Sequence, residues 1–91
     1  SIKIKIIHTP GHTRGGISIL TDGVIFTGDT LFAGSIGRTD LPGGSYEQLI
    51  TSIKDKLLIL DEDIKVYPGH GPSTTIGEEK RDNIFITGDL R

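Results

Sequence analysis

Apolar and polar residues alternate where the chain opens: Ile2, Ile4 and Ile6 are separated by Lys3 and Lys5, and the run closes on the apolar pair Ile6-Ile7. Period-two alternation ending in an apolar pair predicts a strand over residues 2–7 that enters a core. Pro10-Gly11 end it. Two further apolar runs, Ile17-Ser18-Ile19-Leu20 and Val24-Ile25-Phe26-Thr27, flank Asp22-Gly23. Both residues of that pair tolerate positive φ, so the pattern predicts a β-hairpin. Residues 31–44 are glycine-rich, lack apolar periodicity and predict a loop. Beyond them Leu49, Ile50, Ile53, Leu57 and Leu60 recur at helical spacing and form one stripe, with Lys54, Asp55 and Lys56 largely opposite. Ser45 and Gln48 precede that stripe at the spacing of a capping box. Residues 64–67 predict a short strand stopped by Pro68-Gly69. Thr75 and Glu78 offer a second capping box opening a short polar helix over 76–82, and Ile84-Phe85-Ile86 suggest a last strand. The succession predicts an α/β or α+β layer, with helices packed on one sheet.

Composition narrows the class. A chain of 91 residues makes one small domain, and at that size only roughly 60–65% of the unfolded surface is buried. Twelve acidic and ten basic residues are interspersed, for a net charge of -2. No basic stripe points to nucleic acid. No apolar run approaches the roughly 18 residues of a membrane span. The absence of cysteine excludes disulfides, thiolate metal ligands and a cysteine nucleophile, and agrees with a reducing cytoplasm. Methionine is absent too, and the chain opens directly in a strand pattern. The expectation is a single partial domain over residues 1–91, a piece of a larger protein.

Three segments share one local grammar: an apolar strand, a turn with glycine, then a residue able to bind metal. They are Ile6-Ile7-His8-Thr9-Pro10-Gly11-His12, Val24-Ile25-Phe26-Thr27-Gly28-Asp29 and Val66-Tyr67-Pro68-Gly69-His70-Gly71. If the three strands share a sheet, the three turns emerge at one edge. Two imidazoles and a carboxylate suit zinc or iron.

From His8 to Asn83 the chain resembles the metallo-β-lactamase superfamily, in its glyoxalase II-like (hydroxyacylglutathione hydrolase-like) branch. The resemblance rests on His8-Thr-Pro-Gly-His-Thr13, Phe26-Thr-Gly-Asp-Thr-Leu-Phe32, Gly37-Arg-Thr-Asp40 and Tyr67-Pro-Gly-His-Gly71 in this order and spacing. It implies the second half of an αββα sandwich, a mixed sheet with helices on one face. It also implies that His12 ligates a first metal, that Asp29 bridges two metals and orients the attacking hydroxide, and that His70 ligates the second. The implied cofactor is a pair of zinc ions, with iron or manganese as substitutes. His8 matches a position that is not a ligand and is expected to be a partly buried, hydrogen-bonded histidine.

The chain lacks the family's His-x-His-x-Asp-His motif, which supplies four further ligands and is expected upstream of Ser1. The chain alone is therefore expected to be inactive, and its partner is expected to be the missing N-terminal half or a second copy of itself in a homodimer. The implied reaction is hydrolysis of a small acyl thioester. The loop Ala33 to Gly44 carries neither the lysine nor the aromatic residue with which glyoxalase II binds glutathione. Arg38 and Asp40 in that loop are candidate substrate contacts, weighed against an ion pair bracing the loop, and Tyr46 is expected to pack near the helix start. Two rival readings are a persulfide dioxygenase-like protein with one iron and a non-catalytic assembly module.

Overall fold

A computed structural model describes residues 3–88; Ile2, the head of the expected first strand, and the tail from Asp89 lie outside them. Asp22 and Gly23 sit at φ 45° and 78°, the left-handed pair that a two-residue hairpin turn requires. They join β2 (Ile17–Thr21) to β3 (Val24–Gly28), and β2 also pairs antiparallel with β1 (Ile4–His8). β6 (Lys65–Pro68) lies parallel to β3, and β7 (Thr74–Thr75) closes the far edge antiparallel to β6. The result is one mixed five-stranded sheet in the order β1-β2-β3-β6-β7.

Register decides what each face carries. Leu20 pairs with Ile25, and Ile25 with Val66. That row faces the helices. Ile25 and Val66 are fully buried with Leu49 of α1 (Tyr46–Ser52), Ile53 and Leu57 of its continuation, Ile76 of α2 (Ile76–Asp82) and Ile86 of α3 (Ile84–Thr87). Each such side chain contributes about 1.5–3 kcal/mol on burial, and Ile53→Ala would cost about 2–5 kcal/mol. The alternate row runs Ile6, Ile19, Phe26, Tyr67 across the same strands. Among the described residues nothing covers it: Ile4 and Ile6 are 64% exposed and Phe26 46%. Phe26 and Tyr67 stack on each other there, centroids 5.7 Å apart.

The helix begins where its cap predicts. The Ser45 hydroxyl accepts the Gln48 N–H at 3.2 Å, while the Ser45 N–H is already donated to Gly11 O at 2.7 Å. After Ser52 the chain widens into a π-helical turn over Ile53–Leu57, with Leu58 N–H donating to Ile53 O. That places Leu58 in the core beside Ile53 and Leu57, and Leu60 is only half-buried. Thr75 caps α2 through the Glu78 N–H at 3.1 Å.

Four expectations need correction. The first strand does not drive into a core, since Ile4 and Ile6 point to the open face and only Ile7 is half-buried. The segment Ile84-Phe85-Ile86 is helical, because Asn83 Oδ1 accepts the Phe85 N–H as an N-cap and Gly88 at φ 76° ends the turn. Residues 31–44 are not all loop: β4 (Leu31–Phe32) and β5 (Ser35–Ile36) form a small hairpin. His8 is exposed rather than partly buried, because strand alternation puts it on the open face with Ile4 and Ile6; its Nε2–H donates to Arg14 O at 2.9 Å.

Candidate metal centre

Because β2 is antiparallel to both β1 and β3, and β6 is parallel to β3, strands β1, β3 and β6 all point the same way. Their C-terminal ends share one edge of the sheet, and the turns carrying His12, Asp29 and His70 leave from it.

The turn after β1 is held from below by α1. Ser52 Oγ donates to Pro10 O at 2.8 Å in the interior, and Gly11 O takes the Ser45 N–H. A buried trio of hydroxyls ties three segments beneath the edge: Thr9 Oγ1 lies 3.1 Å from Ser18 Oγ and 3.3 Å from Thr30 Oγ1. After β3 the chain turns sharply, with Thr30 N–H donating to Thr27 O and Thr27 Oγ1 to Leu31 O. After β6 the ladder extends by one bond, Gly69 N–H to Gly28 O at 2.8 Å, and this sets His70 beside Asp29.

His12 Nε2 lies 3.7 Å from Asp29 Oδ2, and His70 Nε2 lies 3.5 Å from Asp29 Oδ1. The two imidazoles therefore address different oxygens of one carboxylate. His12 Nδ1 is 2.8 Å from Arg38 O. A carbonyl only accepts, so Nδ1 carries a proton, and Nε2, facing Asp29, is the nitrogen left to ligate. A backbone acceptor behind a ligand histidine is the usual second shell of a metal site. His70 has a different support, stacking on Phe32 with centroids 4.8 Å apart and planes at 24°. His12, Asp29, Phe32, Gly37, Arg38 and His70 line a cleft of about 290 Å³. Gly37 has to be glycine, because a Cβ there would overlap the Asp29 carbonyl and approach His12 Cβ to 3.3 Å.

The donor chemistry fits a divalent ion on either side of Asp29, each meeting one imidazole nitrogen and one carboxylate oxygen. The donor count does not complete either site, because zinc centres take at least three protein ligands. Consistently, among the described residues no group of three or more His, Asp or Glu side chains is arranged to hold one ion.

Arg38 and Asp40 form a two-pronged ion pair, Nε to Oδ1 at 2.8 Å and Nη2 to Oδ2 at 3.0 Å. The Arg38 side-chain hydrogen bond holds the Asp40 carboxyl below its ordinary value, and Asp40 raises the guanidinium in turn. Both side chains are more than 60% exposed, so the pair braces the loop weakly. Tyr46 is exposed at the start of α1. The pattern of the sequence did not reveal the carbonyl of Arg38, the ring of Phe32 or the tight seat of Gly37. An aromatic two residues past the Asp29-Thr30 turn is the one visible signal among them.

Residues 1–70 match the metallo-beta-lactamase superfamily. A hydroxyacylglutathione hydrolase, GloC, of Haemophilus influenzae is 56% identical over 84 residues, which is 90% of this chain and 40% of that protein. The crystal structure of the B3 metallo-beta-lactamase BLEG-1 superposes with a TM-score of 0.90 at 49% identity, over 93% of this chain and 42% of that one. TTHA1623, solved in a di-iron-bound form, gives 0.85 at 45% identity, over 90% and 42%. The chain spans 37–43% of the length of the curated relatives it matches. Among the described residues no helix is long and apolar enough to cross a membrane.

Proposed function

The chain belongs to the metallo-β-lactamase superfamily, and from that premise we propose that it forms the second half of a dinuclear metal hydrolase that cleaves a small acyl thioester. The observation that carries the proposal is the shared carboxylate, with one imidazole nitrogen 3.7 Å from one oxygen and another 3.5 Å from the other. His12 and Asp29 would hold one ion, Asp29 and His70 the second. Bound there, a divalent metal would supply Lewis acidity toward the thioester carbonyl and lower the pKa of its bound water to about 7. Asp29, with one oxygen toward each imidazole, would help hold both ions and orient the attacking water. The Arg38 carbonyl keeps His12 in the tautomer that can ligate. Arg38 lines the cleft, and with its ion-pair partner Asp40 it is the candidate substrate contact. The names of the relatives support a hydrolase: GloC is a hydroxyacylglutathione hydrolase, and a protein of Bacillus subtilis is a probable metallo-hydrolase. Zinc is the proposed metal, with iron the rival given the di-iron form of TTHA1623.

The uncovered sheet face supports the same reading of what completes the protein. Exposed apolar patches beyond about 300–600 Å² are rare on monomers. Ile4, Ile6, Ile17 and Phe26 are exposed apolar side chains on this one face. We assign it to the remainder of a longer protein, with a second copy of the chain standing in when that remainder is missing. Sedimentation velocity on the isolated chain at micromolar concentration is expected to show a dimer; a compact, cooperatively melting monomer would overturn that assignment.

Metal analysis and assay of the full-length protein test the function. Two zinc ions per chain and thioester hydrolysis are expected. A single iron with persulfide-dependent oxygen uptake would replace the reading with the dioxygenase, and a folded protein without metal affinity would replace it with an assembly module. Calorimetry on the isolated chain is expected to show weak zinc binding, because two donors per ion remain; nanomolar stoichiometric binding would contradict it.

A further inference from the structure

We infer that Glu79 is a positioning residue for the centre, acting through the β4–β5 hairpin, an inference that rests on the reading of His12, Asp29 and His70 given above. Glu79 lies on α2 and is 4% exposed. Oε1 accepts the Gly34 N–H at 2.8 Å and an amide N–H of Asn83 at 2.9 Å; Oε2 accepts the Thr74 hydroxyl at 2.7 Å. Asn83, fully buried, also donates to Ser35 O at 3.0 Å. Gly34 lies in the turn of the hairpin and Ser35 opens its second strand, so α2 and its C-cap Asn83 grip the hairpin near its end.

What that hairpin carries gives the grip its meaning. Its first strand holds Phe32, which stacks on His70. Its second strand leads through Gly37, packed on Asp29 and His12, to the Arg38 carbonyl that orients His12. A shift of the hairpin would move both imidazole supports together. Core stability alone does not explain the carboxylate. Among the described residues no cation pairs with Glu79, and burying an unpaired carboxylate is costly where an apolar side chain would fill the space. Gly34 is exposed, so water could satisfy its N–H. The bond supplies a fixed position, which a site held to within about 0.5 Å needs from its supports.

The test uses the full-length protein, stripped of metal with a chelator and labelled with ¹⁵N, at about pH 9 where imidazoles are neutral. The ring nitrogens of His12 report its tautomer, and the ring protons of His70 report the shielding of the stacked Phe32. The wild type is expected to show a single Nδ1–H tautomer at His12 and upfield-shifted His70 protons. Glu79→Gln keeps an oxygen for Gly34 and is expected to keep both signatures. Glu79→Leu is expected to lose both. Thr74→Val removes the donor on the other oxygen; it is expected to lower the Tm and leave both rings unchanged. If Glu79→Leu does not fold, Glu79→Asp, shorter by one methylene, is expected to weaken both signatures. A folded Glu79→Leu or Glu79→Asp with wild-type rings would overturn the inference, as would Thr74→Val shifting them equally. A protein that never binds metal would leave these signals intact, so failure of the functional reading is seen separately.

Discussion

His12 and His70 reach the same carboxylate from scaffolds of opposite character. His12 is 23% exposed, tied by Nδ1 to a backbone carbonyl, on a turn clamped by α1 at Pro10 and Gly11. His70 is 77% exposed and rests on the face of one aromatic ring. The first imidazole is tied at Nδ1; the second is held by one ring face and is otherwise open to solvent. One side of the cleft is thus fixed by hydrogen bonds, the other by a single ring contact.

The comparison presupposes that the shared carboxylate is what both sides serve, and removing it should have the largest effect. In the full-length protein Asp29→Ala is expected to lower thioester hydrolysis by several kcal/mol of transition-state stabilisation, about 10³-fold. His8→Ala, on the open face, should leave most of the activity; equal losses would mean that the role of His8 has been misread. Gly37→Ala strikes the shared carboxylate and the rigid side together. The added methyl meets the Asp29 carbonyl and His12, so a cost of about 1–3 kcal/mol is expected in a thermal melt. A displacement of about 1 Å would lower activity about 10²-fold. Unchanged stability would show that the seat is looser than drawn.

Phe32→Leu probes the soft side. Losing the stack is expected to cost about 0.5–1.5 kcal/mol, up to tenfold in the affinity of the ion beside His70, with the other ion little changed. A metal titration that resolves two events would check it. Arg38→Ala should have the smallest effect on stability, because its ion pair is exposed and the carbonyl that serves His12 remains. The lowered pKa of Asp40 means that its pairing is present above the ordinary value of 3.8 and is lost as the pH falls through the lowered one. Acid melts of wild type and Arg38→Ala should therefore converge at low pH; a gap persisting there would assign Arg38 another partner.

The sheet, the hairpin and the capped helix were legible because each has a local signature: Asp22-Gly23 demands positive φ, Leu49, Ile53 and Leu57 keep helical spacing, and Ser45 offers its oxygen. The edge shared by His12, Asp29 and His70 followed from the repeated strand–turn pattern. Two-residue strands such as β4, β5 and β7 are too short to show a period. Ile84-Phe85-Ile86 fits strand or helix equally, and Asn83 and Gly88 at its two ends decide for the helix. Arg38 was legible as a side chain, yet its carbonyl holds His12, and a backbone acceptor has no sequence signature. Glu79 sits in a helix whose acidic first turn reads as solvated, so its burial appears only when Gly34, distant in sequence, comes to meet it.

The parallel pairing of β3 and β6 also has a consequence in time. Asp29 follows one of these strands and His70 the other, and residues 29–64 lie between them. The β2–β3 hairpin can close within microseconds, whereas a parallel pair must first overcome the closure entropy of that long connection. His12 and Asp29 are separated by the hairpin alone and can approach as soon as β1, β2 and β3 zip together. His70 arrives only with that slower contact, so in a refolding chain the centre would assemble in sequence, the side of His12 before the side of His70.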